Sequence, residues 1–177
     1  GYPFILHLAQ LFLKPGGQGI GTDWHQDNAY FKIADPLKGA AMWVSIHDAT
    51  IANGTIHVVH DSFKEEYPHD RDLNSPHRIH CQVPEERAVP IELEAGGVAF
   101  FCYGTAHSTK ANTTDHERAG MSFHFLHVDC VDRASLLDRP QGQPFLVGPE
   151  NSGGEAENGV KVAGTWERQV ERALTEE

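Results

Sequence analysis

Long hydrophobic runs are missing from this chain: nothing approaches the ~18 consecutive apolar residues of a membrane-crossing helix, and no segment repeats at a fixed period. Cysteine is scarce. Cys81, Cys102 and Cys130 are three in number with no CxxC pair, which excludes a disulfide framework or a zinc knuckle as the organising principle. Reduced thiols in a cytoplasmic protein are the expectation, with Cys102 as buried packing. Basic residues are also few, 14 against 25 acidic ones, for a formal net charge of −11. A nucleic acid or an anionic membrane is therefore excluded as a partner held by charge alone. The opening Gly1-Tyr2-Pro3-Phe4 has no charged n-region of a signal peptide, so Asn53-Gly54-Thr55 and Asn112-Thr113-Thr114 carry no weight as glycosylation sites. At 177 residues there is material for one domain with a core and not for two.

What is present is strand signal. β-branched and aromatic runs at 4–13, 40–47, 55–60, 78–83, 88–93, 98–102 and 121–128 alternate with Gly, Pro, Asn and Asp clusters. With strands inferred around His25 and His107 the total is eight or nine, as an antiparallel sandwich, barrel or jelly roll requires. The charged stretch 62–76 reads as a surface insertion with a short helical piece. After residue 128 the composition shifts. Residues 139–164 read as an irregular arm, and Trp166, Val170 and Leu174 recur at helical spacing behind an N-cap at Thr165. The expected division is a β core over 1–128, then an arm and a short C-terminal helix packed on it over 129–177.

Four residues carry chemistry. His25 and Asp27 are two apart, and on a strand they project to one face; His107 follows His25 by 82 positions and Arg118 follows His107 by 11. Two histidines and a carboxylate on one face of an ion, with the other face open, suit a non-haem Fe(II) oxygenase. The polar residues 112–115 lie midway between His107 and Arg118, so a hairpin there would set the two opposite each other. A guanidinium beside an open metal face suits a carboxylate-bearing ligand. A second His-x-Asp pair, His127 and Asp129, has no later histidine and is read as structural. Asp23 shares the expected face of His25 as a supporting acceptor, while His47, His116 and His124 are read as ordinary surface or core residues. Of these His124 shares the face of Arg118.

The run Trp24-His25-Gln26-Asp27-Asn28-Ala29-Tyr30-Phe31, with Trp43, Asn53-Gly54-Thr55, Gly96 through Phe101, and His107 through Arg118 to Phe125, resembles the phytanoyl-CoA dioxygenase family of Fe(II)- and 2-oxoglutarate-dependent oxygenases. The resemblance spans residues 5 to 128 and implies an all-β, cupin-like jelly roll, the double-stranded β-helix. It implies Fe(II) on His25, Asp27 and His107, and the distal carboxylate of 2-oxoglutarate on Arg118, with Trp43, Gln10 and Thr109 as further co-substrate contacts. The implied reaction hydroxylates a C–H bond of a small organic substrate with O2 and releases succinate. Asp27 argues for hydroxylation, since related halogenases have a small residue there. Two departures from the family pattern stand out: 58–64 replaces its usual Pro-Gly-Ser/Thr-His turn, and the helical segment before the barrel is missing, which leaves one sheet face bare. The low count of basic residues near the motifs leads us to expect a substrate without a coenzyme A handle, unless Lys14, Lys32, Lys38 and Lys110 form a patch. Two other readings fit the ligands alone: a zinc or manganese hydrolase or isomerase of cupin type, and a non-catalytic β-sandwich binding module.

Overall fold

The computed structural model describes residues 4–71 and 79–130. The expected arm and C-terminal helix lie outside the described residues. Among the described residues ten strands form: β1 Phe4–Lys14, β2 Thr22–Gln26, β3 Gly39–Ser45, β4 Ile56–Val59, β5 His69–Arg71, β6 Ile79–Cys81, β7 Ala88–Ile91, β8 Val98–Cys102, β9 Ala106–Thr109 and β10 Arg118–His127. A single helical turn, α1, covers Asn28–Phe31. β5 is a strand inside the stretch expected to be a loop, and it pairs with β6 as a separate two-stranded sheet.

A four-stranded sheet ordered β1-β10-β3-β8 faces a second ordered β2-β9-β4-β7. All of their pairings are antiparallel. The chain steps from one sheet to the other at nearly every connection, so the strands wind round a common interior, as the expected double-stranded β-helix does. Alternation does the sorting: along β3 every second residue from Gly39 to Ser45 is buried, which sends Ala41 and Trp43 inward.

The expected hairpin between His107 and Arg118 does not form. β9 pairs with β2 and β4 in one sheet, while β10 pairs with β1 and β3 in the other. The polar residues between them make a crossing rather than a turn. The Asn112 side chain donates to the carbonyls of Lys14 at 3.0 Å and His116 at 2.7 Å, and Thr113 N–H donates to Ala52 at 3.0 Å.

Apolar packing is divided into three clusters: Leu8 with Phe31, Ile33, Tyr103, Leu126 and Cys130; Trp24 with Val59, Cys81 and Ala106; and Trp43 with Ala49 and Ile56. Between them the interior is given to polar side chains. The outer face of the β1-β10-β3-β8 sheet is apolar and open, with Leu11 at 64% and Phe100 at 70% exposure. Among the described residues no helix is long and apolar enough to cross a membrane.

Gly54 marks the entry to β4, with φ +80° and a backbone so close to the Lys110 carbonyl that no Cβ fits. Gly54→Ala should therefore combine a left-handed backbone penalty with overpacking, together about 2–4 kcal/mol. Thermal unfolding should show a fall in Tm of roughly 5–15 °C; an unchanged Tm would mean that the turn is not held as described.

Candidate metal and anion site

His25 ends up opposite His107 because β2 and β9 pair in that register, and their ring centroids lie 4.3 Å apart. Each ring is fixed the same way. His25 Nδ1 sits 2.8 Å from the Asp23 carbonyl, and His107 Nδ1 sits 2.9 Å from the Thr105 carbonyl. A carbonyl only accepts, so each Nδ1 carries the proton and each Nε2 keeps its lone pair for the interior. This backbone brace also occurs at His57 and His69, so convergence rather than orientation distinguishes His25 and His107.

Asp27 completes the group by a route the alternation pattern did not foresee. β2 stops at Gln26, and Asp27 has turned into helical backbone (φ −56°, ψ −30°) as the residue that opens α1. Its Oδ1 is 3.7 Å from both His25 Nε2 and His107 Nε2. That distance is too long for hydrogen bonding and suits three atoms arranged around a shared ion. One ligand atom from each of His25, Asp27 and His107 falls within 4.8 Å of the others, all three residues are buried, and this is the metal-capable group found among the described residues. The donor set, two neutral imidazoles and a carboxylate, fits a divalent first-row ion. Asp23 contributes its carbonyl, while its side chain is exposed.

The other carboxylate oxygen of Asp27 is buried and faces His124 Nδ1 at 3.8 Å. His124 is itself buried, shares a hydrogen bond of 3.0 Å with Ser122 Oγ, and packs against the rings of Phe31 and Tyr103. The Tyr103 hydroxyl is buried without a hydrogen bond. Burial first, then the negative charge of Asp27, pushes that hydroxyl above its usual range and keeps it protonated. Phe101 lies 4.6 Å from the His107 ring.

Inward rows cross the β1-β10-β3-β8 sheet. Leu8, His124, Ala41 and Phe101 form one; Gln10, Ser122, Trp43 and Ala99 form the next; Lys14 and Arg118 form another. Arg118 is 1% exposed. Its guanidinium donates to the Gly54 carbonyl at 2.5 Å and lies 5.4 Å from the Trp43 ring, while its Nε–H is buried without an acceptor. Burial pulls its pKa down to about 10, so it stays charged at neutral pH. Trp43 reaches that position because the strand beside it has Gly120, where a Cβ would meet the indole at 2.7 Å. Gln10 is half-buried in the row beside His124, and Thr109 exchanges hydrogen bonds with Thr22 at the far end of β9.

The structure thus brings His25, Asp27 and His107 together, and sets Arg118, Trp43, Gln10 and Thr109 on the inner walls. His127 pairs with Asp129 at 3.2 Å outside the site, and His116 is exposed. Sequence reasoning missed Lys14 and Tyr103 as interior polar groups. Lys14 could have been found from its strand parity with Gln10; Tyr103 gave no signal beyond its aromatic type.

The family model for phytanoyl-CoA dioxygenase matches residues 4–120. A phytanoyl-CoA dioxygenase of Arabidopsis thaliana is 25% identical over 132 residues, which are 72% of this chain and 46% of that protein. The chain thus spans about half the length of its curated relatives. Among solved structures, EvdO2 of Micromonospora carbonacea var. aurantiaca complexed with 2-oxoglutarate matches with a TM-score of 0.61 and 27% identity, over 71% of this chain and 52% of that one. SnoN, a non-heme alpha-ketoglutarate-dependent epimerase from nogalamycin biosynthesis, matches with a TM-score of 0.58 and 24% identity, over 73% of this chain and 51% of that one, a likeness of fold alone. With its strand order, its buried His-Asp-His group and a family match across most of the described residues, this chain belongs to the phytanoyl-CoA dioxygenase family.

Proposed function

We propose that the chain is the core of an Fe(II)- and 2-oxoglutarate-dependent dioxygenase that hydroxylates a C–H bond of a small organic molecule. The observation that carries this reading is the convergence of His25, Asp27 and His107 in an interior that also holds a buried guanidinium with an unused Nε–H. Family membership and the 2-oxoglutarate complex of EvdO2 support it. His25 and His107 would each offer Nε2 to the iron and Asp27 its Oδ1, which leaves the remaining coordination positions open. Arg118 would take the distal carboxylate in a charge-assisted pair, and Trp43 would wall the same space. Iron with 2-oxoglutarate supplies O2 activation, so that R–H, 2-oxoglutarate and O2 give R–OH, succinate and CO2. Phe31, Phe101 and Tyr103 would keep bulk water away from the reacting centre.

The buried guanidinium of Arg118 counts against the cupin-type hydrolase or isomerase, and the convergence of three ligand residues counts against a binding module that keeps them as relics. Hydroxylation rests on Asp27, whose carboxylate fills the position a halide would need. The substrate we infer has no coenzyme A handle. Lys14 is turned inward, Lys38 pairs with Asp129 at 3.4 Å, and the Lys110 ammonium sits over Trp24. Of the four lysines that could form a patch for a polyanion, these three are each engaged elsewhere.

Manganese(II) or iron(II) at about 100 times its Kd should raise stability by roughly 2.7 kcal/mol, seen as a Tm rise of several degrees. His107→Ala and Asp27→Ala should abolish that rise, and a full rise in both variants would sink the metal assignment. Arg118→Ala should leave metal binding intact yet weaken 2-oxoglutarate by roughly 30- to 1000-fold, for the loss of about 2–4 kcal/mol. Equal 2-oxoglutarate affinity in calorimetry would reassign Arg118 to structure. Succinate formation from labelled 2-oxoglutarate tests the reaction itself.

A further inference from the structure

Arg118 does not stand alone. Lys14 is its direct cross-strand partner in the β1–β10 register, and at 7% exposure it too is buried. The acceptors these two cations use are neutral: the carbonyls of Ile20 and Lys110 and the Thr109 hydroxyl for Lys14, and the Gly54 carbonyl for Arg118. Among the described residues no carboxylate forms an ion pair with either. Two like charges buried side by side are unfavourable in the folded chain unless an anion joins them. The strain falls on Lys14, whose pKa is lowered to about 8 by burial and then by the charge of Arg118.

Lys14 cannot itself grip a ligand, because its three N–H donors are occupied at 2.7, 2.9 and 2.5 Å. It acts through its charge and through Thr109. The Thr109 oxygen accepts from Lys14 Nζ and, at 3.1 Å, from Thr22 N–H. Its own hydrogen is what remains to donate, either to Thr22 Oγ1, 2.9 Å away, or to a carboxylate entering beside it. We propose that Lys14 is a positioning residue for the co-substrate: a second cation which, with Arg118 and the Thr109 hydroxyl it orients, selects a 2-oxo acid that has a remote carboxylate. This rests on the 2-oxoglutarate reading above.

The test uses the full chain loaded with manganese(II), titrated by calorimetry with 2-oxoglutarate and with 2-oxobutanoate, which lacks the remote carboxylate. Lys14→Gln keeps donors and removes the charge. It should lose roughly tenfold or more in 2-oxoglutarate affinity and change 2-oxobutanoate affinity less than twofold, and Lys14→Arg should recover most of the loss. A remote carboxylate favours the ammonium form, so wild-type preference for the dicarboxylate is full below pH 8 and falls as pH rises through it. Arg118, at about 10, remains charged across pH 7–9, and the Lys110 side chain is turned to Trp24. Effects on the metal ligands divide out in the ratio of the two acids. An equal loss for both acids, no loss for either, or a pH slope surviving in Lys14→Gln overturns the proposal. Were Lys14→Gln unable to fold, the wild-type ratio decides alone: a fall through pH 8 supports the role and a flat ratio overturns it. Wild-type protein that binds 2-oxobutanoate and 2-oxoglutarate equally sinks this inference and leaves the metal site standing, whereas binding of neither acid sinks the co-substrate reading too.

Discussion

The pairing of β9 on both of its edges is the constraint on which the site depends. His107 lies opposite His25 on one side and Val58 on the other, so its backbone has no freedom to slide. A slip of one residue would turn the imidazole to the outer face and bring Ser108 inward. The two Nδ1–carbonyl bonds then fix the rings, which leaves the Asp27 carboxylate as the adjustable member. It is held by its position on the first turn of α1, where Asn28 N–H donates to the Tyr103 carbonyl at 3.0 Å.

Gln26, between two of these residues, ties the site to its surroundings. Its side chain donates to the carbonyls of Glu65 and Gly104 at 2.7 and 2.6 Å and accepts from Tyr67 N–H at 3.0 Å, while its backbone N–H donates to His69 Nε2, also at 3.0 Å. A buried glutamine with this many partners holds the segment after β4 against the β8–β9 connection. The hydrogen bonding around Gln26 is thus complete, whereas the Nε–H of Arg118 is left without an acceptor.

How much of this could be read from the residues alone follows from what each residue type demands. Imidazoles and carboxylates that meet in a buried group stand out against an apolar alternation, so His25, Asp27 and His107 were legible, as was the eight-stranded winding around them. The partner of β10 was not. Asn112, Thr113 and Thr114 have the same turn chemistry in a tight hairpin and in an arch between sheets, and the hydrogen bond from Asn112 to the Lys14 carbonyl that decides the matter is long-range. Lys14 was passed over because lysine is almost always exposed, although its strand parity with Gln10 turns it inward and its register sets it against Arg118. Asp27 was expected on a strand and arrived instead through a helical turn, since local alternation carries no information on where a strand stops.

The β1–β10 pairing has a consequence for how the molecule is made. The first strand cannot find its partner until more than a hundred further residues have left the ribosome. Until then its inward Leu8 side and the backbone edge that β10 will take are both uncovered, a template for association with another chain. Closure of the sandwich is therefore a late event with a long loop to tie. The metal-capable group is complete only once His107 has followed His25 and Asp27, and Arg118 arrives to face Lys14 later still.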